Sequence, residues 1–245
     1  MKKRILSVII LSFTMFLSCK NDDNTTKAVQ LPKSIKGVDA NITFQYNTKN
    51  QLVKVSDKSD PTDYSETLFT YNNDGKLEKF VNASYYNGNV STASYSVTYL
   101  ANNQLRVTSD DNEYVLVSLN DKGQALSFNS IDGTTNFSYD SKGNMVQATD
   151  NSQTITATYN NDNGILSSVA TPSWVLMLTD LDLHYFALNN PLTITEVYKN
   201  NGSSETYSQT MNYPKEHVIH GYPTKMIVNT TDGGESYNQT LTVTY

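Results

Sequence analysis

At 245 residues with a formal net charge of −6 and a pI near 5.0, the chain is too acidic to grip phosphate backbones, which excludes nucleic acid as a partner. Its 17 tyrosines sit among abundant Thr, Ser and Asn with Gly and Asn as punctuation, a composition of strands and turns rather than of helices. Some two hundred residues can bury a sizeable core in one all-β domain.

Lys2, Lys3 and Arg4 open the chain, and Ile5 to Leu17 follows as a nearly unbroken apolar run closed by Ser18 and the only cysteine, Cys19. A basic start, a short apolar run and a small-residue junction make residues 1–18 a secretory signal. The run is too short for a transmembrane helix, which needs about 20 apolar residues. Phe16-Leu17-Ser18-Cys19 resembles the lipobox of bacterial lipoproteins, with Phe16 where that motif has Leu. The resemblance implies cleavage before Cys19, lipidation of Cys19 and an exported protein anchored to the bacterial envelope at the outer membrane. Residues 19–35 are polar, without apolar periodicity, and read as a flexible tether. Asp22 and Asp23 resemble the export signal of surface-exposed Bacteroidetes lipoproteins; a plain solvated linker is the equal alternative.

Residues 36–245 read as a single β-repeat domain. Phe44-Gln-Tyr46-Asn-Thr-Lys-Asn50-Gln-Leu52 recurs as Phe69-Thr-Tyr71-Asn-Asn-Asp-Gly75-Lys-Leu77, and further copies centre on Tyr99, Leu119, Tyr139 and Tyr159. Alternation of Phe44 with Tyr46 puts large side chains on one strand face. Asn or Asp after the Tyr, with Gly or Asn three residues later, predicts a type I turn followed by a left-handed residue. Leu52 and Val55 are an odd step apart, so either a bulge resets the parity or both faces are partly buried. The unit resembles the YD repeat of Rhs-type proteins, best at Tyr139-Asp140-Ser-Lys-Gly143-Asn-Met145, and the whole chain resembles uncharacterised Bacteroidetes lipoproteins with such hairpins. The expected fold is all-β: consecutive antiparallel YD-repeat-like hairpins in a long twisted sheet that curls on itself.

Residues 171–190 break the pattern. Trp174, Leu178, Leu181, Tyr185 and Leu188 lie at helical spacing between Pro172 and Asn189-Asn190-Pro191, predicting one short helix near 173–188; a strand through Trp174–Leu178 is the competing reading. Strands resume at 193–198, 205–213, 226–230 and 239–245.

Motifs of chemistry are scarce. His184, His217 and His220 have no accompanying Glu or Cys at zinc-site spacing, so no metal or cofactor is expected. The Asn/Asp-rich turns are too short for calcium loops. No nucleophile elbow, P-loop or dinucleotide fingerprint occurs, and no catalytic residue is assigned. Tyrosines outside the repeat position leave a binding surface as the leading function, with Tyr85, Tyr86, Trp174 and Tyr222 as candidate ligand-contact aromatics and a glycan or envelope protein as partner. The alternatives are a polysaccharide hydrolase using an unidentified carboxylate pair, with Asp180/Asp182 and Asp110/Asp111 as neighbouring acids, and a purely structural envelope component.

Overall fold

The computed structural model describes residues 29–179, 181–200 and 203–245; the signal, Cys19 and most of the tether lie outside the described residues. Its strands begin with β1 (Ser34–Lys36), β2 (Asn41–Tyr46), β3 (Leu52–Asp57), β4 (Asp63–Tyr71), β5 (Leu77–Tyr86) and β6 (Asn89–Tyr99). They continue with β7 (Gln104–Ser109), β8 (Tyr114–Leu119), β9 (Ala125–Ser130), β10 (Gly133–Tyr139), β11 (Met145–Thr149) and β12 (Gln153–Asn163). Two four-residue helices, α1 (Ser173–Leu176) and α2 (Leu183–Phe186), precede β13 (Asn189–Asn200) and β14 (Ser203–Asn212). A small pair, β15 (Val218–Ile219) with β16 (Tyr222–Pro223), leads to β17 (Lys225–Asp232) and β18 (Glu235–Thr244).

The sheet closes. Every strand of the main sheet pairs antiparallel with its neighbours, and β1 joins β18 through Ser34↔Thr244, Ile35↔Val243 and Lys36↔Thr242, completing a 16-strand barrel. Antiparallel hairpins following one another in space, as short loops require, are as expected. The likeness to Rhs-type YD repeats, and to lipoproteins built from them, is corrected: the hairpins form one closed barrel around a plug from the same chain, not a repeat shell. The single helix expected near 173–188 is also corrected to two separate turns. Thr179 directs both its N–H and its hydroxyl back to the Leu176 carbonyl, at 3.2 and 2.7 Å, and Asp182 is extended, so the helix cannot continue.

The local turn chemistry follows the sequence. Asn47, Asn72, Asn120 and Asp140 each accept the N–H of the residue three positions on, and Asn50, Gly75, Gly123 and Gly143 there hold φ of 60°, 83°, 76° and 92°. The side-chain oxygens of Asn47, Asn120 and Asp140 also take the N–H groups two and four residues on. A register shift between Gln45 and Tyr46 turns both the Phe44–Val55 and the Tyr46–Leu52 pairs inward, so the bulge resolves the odd step. The same shift recurs before Tyr71, Leu119 and Tyr139.

These bulged turns share one end of the barrel, and residues 164–188 close it from inside. Ile165, Leu166, Trp174, Val175, Leu176 and Tyr185 are buried in one core with inward side chains such as Phe44, Leu52, Leu77, Phe80 and Leu105. Ala170 N–H donates to Asn50 O (2.9 Å), and Leu52 N–H to Thr171 Oγ1 (2.8 Å), stapling the plug to the wall. A large barrel would otherwise leave an aqueous lumen; here residues 164–188 fill one end.

The outward positions are mostly polar, with Leu68, Val90, Tyr114 and Leu126 as scattered exposed apolar exceptions. Alternation and register place Thr193 and Thr195 of β13, Ser208 and Thr210 of β14, Asn229 and Thr231 of β17, and Asn238, Thr240 and Thr242 of β18 on the outside. Lys54 and Glu66 pair there at 2.9 Å. A bilayer-spanning barrel needs an outward apolar band about 25 Å tall and strands of roughly 9–11 residues. Thr, Ser, Asn and paired charges make no such band, and β3, β7, β8 and β9 have only 6 residues each. Among the described residues no helix is long and apolar enough to cross a membrane.

Candidate functional site

Opposite the plug, the barrel opens into a cavity of about 840 Å³, within the size range of small-molecule sites. Its two sides come from different strands. Phe128, Phe137, Met145 and Ala148 of β9 to β11, with Met177, Leu181 and Phe186 of the plug, form an apolar side and floor. Gln153, Glu196, Tyr198, Glu205, Tyr207, Gln209 and Asp232 of β12, β13, β14 and β17 form the polar side. Strand pairing explains the clustering: Tyr198 lies opposite both Gln153 and Glu205, Glu196 opposite Tyr207, and Tyr207 opposite Asp232, all with side chains pointing inward.

The polar side is internally bonded. Glu196 Oε2 accepts from Tyr198 Oη at 2.6 Å and from Gln153 Nε2 at 2.9 Å, and Gln209 Nε2 donates to Tyr207 Oη at 2.8 Å. The Glu196 carboxylate pushes Tyr198 up to about 12, with a smaller contribution from burial. Burial raises the Asp150 carboxyl, but the N–H groups of Ser152 and Gln153, at 2.7 Å each, outweigh it and hold the group low. Asp182 reaches the cavity from the residue before α2. Asp150, Asp182, Glu196, Glu205 and Asp232 thus line the space, and among its described lining residues none is Lys or Arg.

His184 sits where plug and cavity meet. It is fully buried, its ring packs edge-on against Tyr185 at 4.0 Å, and it lines the cavity. Neither ring nitrogen has a well-formed hydrogen bond among the described residues; Asp182 Oδ2 stands 3.8 Å from Nε2, and the Gln209 side chain is near enough to interact with the ring. Burial lowers its pKa, against the opposing pull of Asp182 and Gln209, so the ring is neutral.

The candidate ligand-contact aromatics lie outside this cavity. Trp174 is packed inside the plug, and Tyr222 is buried with its hydroxyl on Ser168 Oγ. Tyr85 stacks on Tyr64 at 4.2 Å on the outer wall, and Tyr86 is exposed beside its turn. None of the four lines the cavity. His217 and His220 lie in the loop around β15, and Asp110 and Asp111 are exposed at a hairpin tip. Among the described residues no group of His, Cys, Asp and Glu could hold a metal ion. A signal for the cavity was available: Ile194, Glu196 and Tyr198 alternate with Thr193, Thr195 and Val197, so an acid shares a face with a core isoleucine.

A second hollow, of about 600 Å³, lies at the plugged end over Leu166, Trp174 and Leu188, with Lys76, Lys122 and Lys142 among its lining residues.

No protein-family description matches the chain, and no curated protein matches it either. Solved structures do. A porin-like protein from Bacteroides uniformis is 14% identical with a TM-score of 0.38, the match covering 88% of this chain and 98% of that one. A porin-like protein from Bacteroides vulgatus is 13% identical with a TM-score of 0.41, covering 88% and 99%. Both likenesses are to porin-like proteins. At that level of similarity they say nothing about what this chain does.

Proposed function

We propose that this chain is a non-enzymatic ligand-binding protein of the outer envelope of a diderm bacterium, a lipid-tethered cup rather than a pore. The observation that carries the reading is the cavity of about 840 Å³ at one end of a barrel whose other end is packed shut. The polar outer wall argues that attachment comes from the N-terminal lipid on Cys19 and not from the barrel.

Orientation follows from the same reading. Tyr46 Oη donates to Pro32 O at 2.8 Å and Lys33 N–H to Thr244 O at 2.6 Å, so the tether leaves at the plugged end. The turn lysines Lys49, Lys76, Lys122 and Lys142 are also there, where anionic headgroups would attract them. The mouth of the cup then points away from the membrane.

A hydrolase is less well supported. Glycoside hydrolysis needs one carboxyl held protonated. Asp150 is held low, and Glu196 already accepts two hydrogen bonds.

Three measurements test the reading. Cys19→Ala should move the protein from the detergent to the aqueous phase. Purified protein added to liposomes should give no conductance. A glycan-array and small-molecule thermal-shift screen should return ligands whose binding is lost in Leu181→Trp, which fills the cavity. Unit conductance steps, or release of reducing sugar from any polysaccharide, would overturn it.

A further inference from the structure

The cavity's charge and lining say more about its ligand than its size does. Its carboxylates, Asp150, Asp182, Glu196, Glu205 and Asp232, face a space with no described basic lining residue. Beyond the mouth, the hairpin tips add Asp60, Asp63, Asp110, Asp111 and Asp132, which outnumber Lys58 and Lys199 there, so the field at this end favours cations. Facing these acids are Phe128, Phe137, Met145 and Ile194, which reward burial of an apolar body. His184 supplies the independent sign of a missing partner. It is a buried imidazole lining the cavity whose ring nitrogens bond to nothing described, and an unmade hydrogen bond at such depth costs about 1–3 kcal/mol.

Building on the ligand-binding reading, we infer that the cavity takes an amphipathic cation: an apolar body carrying a protonated amine, the body against Phe137 and Met145 and the ammonium among Glu196, Glu205 and Asp232, with His184 available to accept a hydrogen bond from a ligand donor. A fatty acid or an anionic lipid would place its carboxylate or phosphate against these acids, with Lys199 beside Asp150 but no Lys or Arg among the described lining residues to offset the repulsion. A neutral alcohol of the same length gains the apolar contacts and lacks the charge-assisted hydrogen bonds.

The test compares three probes of equal chain length, octylammonium, octanol and octanoate, titrated calorimetrically into the full-length protein in detergent below its micellar concentration. Octylammonium should bind more tightly than octanol by about tenfold, the equivalent of one charge-assisted hydrogen bond, and octanoate should give no heat. Added salt should weaken octylammonium and leave octanol unchanged. Glu196→Gln with Asp232→Asn should abolish the preference for the amine while octanol binding persists, which shows that the variant is folded. Equal binding of amine and alcohol, tighter binding of octanoate, or silence from all three overturns the cationic assignment. Glycan or other ligands that bind and are lost in Leu181→Trp would then leave the cup reading standing without it.

Discussion

Gly164 lies so close to Ala187 that a Cβ on it would fall 1.9 Å from the Ala187 carbonyl oxygen. The contact is where the plug begins and ends: Gly164 N–H donates to Leu188 O at 2.8 Å, and Leu166 N–H to Tyr185 O at 3.2 Å. Both strands of this crossing are backbone, so no side chain can swing aside. Gly164→Ala should therefore lower stability by about 3 kcal/mol, the upper range for overpacking, through displacement of the plug. Urea unfolding followed by Trp174 fluorescence measures it. A variant with the wild-type midpoint and an equally shielded Trp174 would show that the crossing has slack.

Thr171 ties the plug to the wall. Its Oγ1 accepts the buried Leu52 N–H at 2.8 Å and shares a hydrogen bond with Tyr71 Oη at 2.9 Å. Burial raises the Tyr71 hydroxyl to about 12, partly offset by this bond. Thr171→Val keeps the shape and orphans the Leu52 N–H, at an expected cost of about 1–3 kcal/mol. Tyr71→Phe should cost less, and the double variant less than the sum, because the three groups form one network. Additive costs in a denaturant double-mutant cycle would contradict the coupling.

Much of the barrel is readable from the chain, and closure is not. Tyr or Leu, then Asn or Asp, then Gly or Asn three residues later spells the bulged turns at Tyr46, Tyr71, Leu119 and Tyr139, because few residues other than Gly and Asn tolerate positive φ, as at Gly75 and Asn50. The closing pair rests on Ser34, Ile35 and Lys36, two at the end of the stretch that reads as tether and one at the start of the domain, with no repeat pattern to mark them. Strand number and curvature are properties of the whole sheet, so no single hairpin encodes them. The cavity is not legible in the sequence for a related reason. Phe137 belongs to a repeat and Leu181 to the interruption, and only closure brings both to the space that Glu196 faces. Of the candidate contact aromatics, Trp174 and Tyr222 pack inside, and none of the four lines that space.

The Asp140 turn offers a test of local capping. Asp140 Oδ1 takes the N–H groups of Lys142 and Asn144, both at 2.9 Å, and Oδ2 takes Asn144 Nδ2 at 2.9 Å. Asn144 in turn holds Asn189 at the end of the plug. Asp140→Ala should cost about 1–2 kcal/mol, and Asp140→Asn should recover most of it by keeping an acceptor at Oδ1. Chemical unfolding of the two variants at neutral pH gives the comparison. Equal losses would mean that the charge, and not the turn geometry, is what matters.

His184 makes the barrel sensitive to mild acid. Burial lowers its pKa in the fold, opposed by Asp182 and Gln209, whereas the unfolded imidazole titrates near 6.5. The unfolded chain therefore takes up a proton that the folded chain refuses. This contribution is complete above pH 6.5 and is lost as the pH falls below it, at up to about 1.4 kcal/mol per pH unit. Carboxyls held low in the fold, such as Asp140 and Asp150, lose their contribution only in more acid solution, below the usual carboxylate range. Between pH 7.5 and 5.5 the wild-type urea midpoint should fall, and in His184→Gln, which cannot titrate, the fall should be much smaller. His217 and His220 are present in both proteins, so the difference between the two slopes isolates His184. Parallel slopes would assign the acid sensitivity to another group.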